Sequence, residues 1–140
     1  MFGRIRREWL DDSWKGWCGE NPPYHAPKFV LTHLALEPNA MADDTTFHFV
    51  KGGIHATLKR ARGTAGRARD VKIGGGVPPV CQHLQTNLTA ELHFALSHFL
   101  LGRSEPMLEG LNLPAFGYRV LESTATDLAT HVMLGRHENE

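Results

Sequence analysis

No single regular element can run through residues 74–79, and that interruption organises the sequence around it. Gly74-Gly75-Gly76-Val77-Pro78-Pro79 stands between a short β-type run, 71–73, and a helix-like run, 79–87. Three consecutive glycines give a strand nothing to pack and cost a helix backbone entropy. The prolines fix φ and remove two N–H donors. A strand must therefore end before Gly74 and a helix begin after Gly76. Proline suits the first helical position, and Pro79 pushes Pro78 away from the α conformation, so the helix is expected from about Pro79.

The flanking pattern alternates strand and helix. Residues 28–33, KFVLTH, are apolar and partly β-branched and read as a buried strand; residues 45–50, TTFHFV, read as another, ended by Gly52-Gly53. Residues 54–65 place Ile54, Leu58, Ala61 and Ala65 near one helical face. The run 91–101 reads as a long apolar strand. Runs 116–123 and 130–134 read as two more, joined by a polar turn around Asp127. The middle of the chain is thus βαβαβ, which predicts an α/β fold with a mostly parallel sheet and a hairpin-like end. Residues 16–27 carry three prolines and two glycines and cannot form a long helix.

A chain of 140 residues is about one domain and can bury a core. Fifteen basic residues balance fifteen acidic ones, so no global field draws it to nucleic acid or to a membrane surface. No apolar run approaches the roughly 18 residues of a membrane span. Cys18 and Cys81 are far apart and form no CxxC, which fits a reducing, cytoplasmic setting. The nine histidines invite a metal reading. His93 and His98 are expected on opposite faces of a strand, and His131 and His137 stand in no ligand spacing with a cysteine or carboxylate, so no metal site is expected.

In open α/β sheets, ligands sit beyond the carboxyl ends of strands. Glycines at a helix N-terminus let a phosphate approach unpaired N–H groups and allow positive φ. With Pro78 and Pro79 silent, the donors left for a pyrophosphate are the amides of Gly75, Gly76 and Val77. The segment matches neither G-x-G-x-x-G nor a P-loop.

Taken in order, GENPPYHAPKFVLTH, TTFHFV, DVKIGGG, ELHFALSHFLLG and MLEGL resemble the dihydrofolate-reductase-like proteins related to the C-terminal reductase domain of the bifunctional riboflavin-biosynthesis deaminase-reductase. The resemblance runs over nearly the whole chain. It implies a three-layer α/β/α fold with a mostly parallel mixed sheet, one domain over 1–140, and NADPH as hydride donor. It implies that Gly74, Gly75, Gly76 and Val77 contact the cofactor pyrophosphate. It places Thr32 and His33 near the adenosine ribose and its 2′-phosphate, although the same two residues can equally be the plain end of a strand. The familial activity is reduction of a ribosylamino-pyrimidine; for this chain the resemblance implies a small heterocyclic or carbonyl substrate and names no catalytic acid.

Three departures from the family pattern stand out. Relatives carry a strand, a helix and a second strand ahead of the position of Met1, so the resemblance implies a domain incomplete at its N-terminus and lacking the first strands. Arg4, Arg6 or Arg7 would then be the available charges for a 2′-phosphate. Pro78-Pro79 is the second departure and Ser97-His98 the third. A sheet short of strands leaves unpaired backbone groups, at about 1–3 kcal/mol each when buried, so an upstream start or pairing with another chain, as in a homodimer, is expected. A non-catalytic nucleotide-binding or interaction protein, or an inactive fragment, is the competing expectation.

Other residues have plainer readings. Trp9, Trp14, Trp17 and Tyr24 pack a loop onto the body or line a pocket. His25 fixes its loop by a hydrogen bond or donates to a substrate. Cys81 is a small core residue. Residues 51–72 hold seven basic side chains against Asp70, a solvated face without a nucleic-acid motif.

Overall fold

The computed structural model describes Gly16, residues 18–103 and residues 106–136, and it is an α/β structure of two helices and two small sheets. The chain divides into two compact units, one ending at Gly75 and one beginning at Gly76. The expectations placed on Met1, Arg4, Arg6, Arg7, Trp9, Trp14, Trp17 and His137 lie outside the described residues.

In the first unit, β1 (Lys28–Leu31) pairs parallel with β3 (Thr46–Val50), and the two-residue β2 (Asn39–Ala40) pairs antiparallel with β3's other edge. β2 was not expected, since two residues carry no periodicity. Helix α1 (Gly53–Ala65) packs on β1 and β3. The chain turns from β3 into α1 through Gly52 and Gly53, both at positive φ (101° and 78°), where an L side chain is strained. Ile54, Thr57, Leu58 and Ala61 form the buried face at helical spacing. Thr57 returns its hydroxyl to the Gly53 carbonyl, so this polar residue is satisfied inside the helix.

Residues 71–73 form no strand, against expectation. They belong to no regular element, with Val71 and Ile73 half-buried. Lys72 stands close enough to Lys28, at the start of β1, for the two charges to repel. Lys72 thus lies near β1, but residues 71–73 make no ladder with it.

In the second unit, α2 (Val77–Gln85) is followed by an antiparallel sheet of β4 (Glu91–Ser97), β5 (Tyr118–Ala125) and β6 (Ala129–Arg136) in the order β4-β6-β5. Helix α2 begins two residues earlier than expected. Pro78 and Pro79 both fall in its first turn, where the missing N–H groups would have had no intrahelical partner. The helix ends as Leu88 N–H returns to the His83 carbonyl across Asn87, at φ 56°. Leu84, Tyr118 and Leu134 form the core, lined by Val80, Leu92, Phe94 and Val132. The expected strand 91–101 stops at Ser97, and Phe99, Leu100 and Leu101 are exposed. The turn joining β5 to β6 is the expected polar one, closed by Thr126 N–H and hydroxyl on the Ala129 carbonyl.

The α/β class is therefore present. Of the strand pairings among the described residues, β1–β3 is parallel and the other three are antiparallel. The long apolar runs near the C-terminus are alternating rather than fully buried: Leu92 and Phe94 face the core while Glu91, His93 and Ala95 are exposed.

Candidate functional site

The first unit contributes Thr32 and His33. Thr32 N–H extends the β1–β3 pairing by donating to the Val50 carbonyl at 3.2 Å. Its hydroxyl oxygen accepts the Leu34 N–H at 3.0 Å, the turn that ends the strand. The strand-end role is thus filled, and the hydroxyl still has its own proton to donate. His33 is exposed and makes no hydrogen bond among the described residues.

Gly74 and Gly75 close the first unit; Gly76 and Val77 open the second. Gly76 is the N-cap of α2 in extended conformation (φ −73°, ψ −178°), and no side chain caps the helix. The first turn has no acidic residue. The partial positive charge of the helix N-terminus is therefore uncompensated by the helix itself. Pro78 and Pro79 reduce the donors, leaving the Gly76 and Val77 amides at the mouth.

None of Gly74, Gly75 and Gly76 has positive φ, so the backbone conformation does not require glycine there, contrary to one of the two reasons the sequence suggests. Packing does not require it at Gly74 or Gly76 either. A Cβ on Gly74 would meet no heavy atom within 4 Å, and one on Gly76 would be in ordinary contact with Pro78 Cδ at 3.9 Å. What glycine does provide at these exposed positions is room for another molecule to approach the main chain. This fits a pyrophosphate group, with fewer amide contacts than a longer cradle would make.

Several polar arrangements were not legible in the spacing. The imidazole Nδ1 of His25 is 3.1 Å from the Asp43 carbonyl and 3.5 Å from its carboxylate, across 18 residues. This is the loop-fixing role expected of His25. Its φ of 48° shows that the loop holds it in a left-handed conformation. The Asp43 carboxylate in turn accepts from the N–H and hydroxyl of buried Thr45. Lys28 Nζ lies 4.3 Å from the Tyr24 ring centre. Partial burial, then the charge of Lys72, lowers its pKa. His48 stacks on Phe29 across β1 and β3, and its buried Nδ1 has no hydrogen-bond partner among the described residues. His93 Nε2 and His131 Nδ1 meet at 3.1 Å on neighbouring strands. Cys81, half-buried on α2, donates its thiol to the Met107 carbonyl and is not free core filler.

Among the described residues, no three His, Cys, Asp or Glu side chains converge to hold a metal ion, and no helix is long and apolar enough to cross a membrane. No family model matches the chain, and no curated protein matches it in sequence.

Proposed function

We propose that the protein is an NADPH-dependent reductase with a dihydrofolate-reductase-like three-layer fold, acting on a small heterocyclic or carbonyl substrate in the cytoplasm. The reading rests on the ordered motifs from GENPPYHAPKFVLTH to MLEGL. The one structural observation that carries it is the uncapped, acid-free start of α2 at Gly76, preceded by Gly74, two glycines that neither φ nor packing demands. Gly74, Gly75, Gly76 and Val77 would hold the pyrophosphate through main-chain amides. Thr32 would donate its remaining hydroxyl proton to the 2′-phosphate, and a protonated His33 would pair with it. When bound, NADPH supplies the hydride; the chain's part is to bind and orient it.

A second reading, a nucleotide-binding protein without turnover, is favoured by one observation: Pro78 and Pro79 remove two of the amides nearest the site.

Calorimetric titration of NADPH into the 140-residue chain tests both. The expected result is one site, weakened when Gly74→Asp places a carboxylate beside the phosphates. NADPH consumption with a carbonyl or heterocycle panel supports the reductase. Binding without consumption supports the second reading. Absence of binding overturns both.

A further inference from the structure

On the second unit's sheet, the face turned away from Leu84 brings together three side chains that bind soft and borderline metal ions. His93 on β4 lies directly opposite Met133 on β6. His131 precedes Met133 by two residues on the same strand, so it shares that face. The rings of His93 and His131 meet nearly coplanar and end to end, with centres 5.3 Å apart and an interplanar angle of 21°, and His93 Nε2 is 3.1 Å from His131 Nδ1. Across β6, Glu122 pairs with Met133, and its carboxylate is occupied by the Thr124 hydroxyl at 2.9 Å.

We propose that His93, His131 and Met133 form a copper-binding site, selective for Cu(I). Two nitrogens 3.1 Å apart are separated as two ligands on one ion would be: metal–nitrogen distances of about 2.0–2.1 Å give an angle of roughly 100° at the metal. The proton now shared between the two facing nitrogens does not obstruct this. The donor ring becomes a second ligand by moving that proton to its other nitrogen, the ordinary imidazole tautomer change, with no net charge transferred. The two nitrogens now point at each other along the hydrogen bond, so each ring has to turn by roughly 40° for both lone pairs to meet at a metal held at about 2.0–2.1 Å.

Ligand chemistry selects the metal. Imidazole suits zinc, copper, iron and nickel alike, whereas soft sulfur ligands favour Cu(I), zinc and iron–sulfur clusters. Zinc sites are completed by thiolate, imidazole or carboxylate, and no third group of that kind converges here among the described residues. The site is on an exposed sheet face, His93 being exposed and His131 and Met133 half-buried, so an ion reaches it without opening the core.

The test is an anaerobic titration of the chain against Cu(I) held by a chromogenic chelator. The wild-type protein is expected to withdraw one equivalent. The double variant His93→Gln/His131→Gln is expected to lose this, and Met133→Leu to weaken Cu(I) binding by at least roughly tenfold, since even outer-shell changes cost 10–100-fold. Cu(II) binding by Met133→Leu should persist, with a two-nitrogen hyperfine pattern. X-ray absorption of the wild-type copper complex needs no variant and should show nitrogen and sulfur neighbours together. Equal copper binding by the double variant, a complex without sulfur, or preference for Zn(II) over Cu(I) would each overturn the proposal.

Discussion

The hydroxyl of Tyr118, which opens β5, donates to the main-chain carbonyl of Thr89, in the connection that leads into β4. These two strands are the opposite edges of the second unit's sheet, so one buried side chain ties both to the core. Tyr118→Phe keeps the ring and leaves the Thr89 carbonyl without its donor. The expected loss is about 1–2 kcal/mol, an ordinary hydrogen bond together with part of the desolvation cost of the stranded acceptor. Urea unfolding should show a lower midpoint with an unchanged slope.

The same residue gives the fold an alkaline limit. Burial raises the Tyr118 pKa above its ordinary 10.0, against the opposing pull of the Arg136 charge. Folding therefore favours the neutral phenol. Its contribution is complete below pH 10.0, the value in the unfolded chain, and disappears as pH rises through the higher folded value. Urea midpoints measured up through that window should fall more steeply for wild type than for Tyr118→Phe, which has no phenol to ionise.

Leu84 is the fully buried centre of the second unit, at 0% exposure. Truncation to alanine removes its contacts with the Tyr118 and Leu134 cluster and leaves a cavity. A loss of about 2–5 kcal/mol is expected. Leu84→Met, which nearly conserves volume, should lose less than about 1.5 kcal/mol. Equal losses would mean that burial area, and not shape, governs this core.

Which features were legible in the sequence follows from how far apart the interacting residues are. Helix α1 was readable because Ile54, Leu58 and Ala61 repeat within the element itself, and the end of β3 because glycine is needed where φ turns positive at Gly52. Helix α2 starts two residues before Pro79 because a first turn needs no donors, and this outweighs the restriction that a proline places on the residue before it. The strand at 71–73 was over-read: its residues have β character, but a strand exists only with a ladder partner, which local sequence does not specify. The meeting of His93 with His131 spans 38 residues. It depends on the register of β4 against β6, so neither motif spacing nor composition contains it. The period-two spacing of His131 and Met133 on one strand is the one signal present, and it becomes informative only once the pairing with His93 is known.

Phe99, Leu100 and Leu101 are 80%, 100% and 79% exposed. Side chains that touch so little contribute almost nothing to the folded state. Leu100→Lys should alter the unfolding free energy by no more than about 0.5 kcal/mol. It breaks a contiguous apolar patch, so it should also lower self-association, read by light scattering at increasing concentration. A substantial loss of stability would show that Leu100 is covered in solution.

Two glycines separate conformational need from need for space. Gly117 lies at φ 84°, and a Cβ there would stand 3.3 Å from Arg136 Cγ, so both strain and crowding oppose a side chain. Gly117→Ala should destabilise by about 1–2 kcal/mol, the cost of a left-handed L residue. Gly74 has neither constraint: its φ is not positive and the space around its Cβ is open. Gly74→Ala should leave stability unchanged or raise it by about 0.4–1 kcal/mol, because alanine restricts the unfolded chain more than glycine does. If Gly74 admits a phosphate to the main chain, its added methyl obstructs that approach, and the variant gains stability while losing NADPH affinity. A variant that is more stable and binds NADPH as well as wild type would remove Gly74 from the proposed cradle. Thermal unfolding with and without NADPH distinguishes the two outcomes, since the ligand raises the midpoint only where it binds the folded chain.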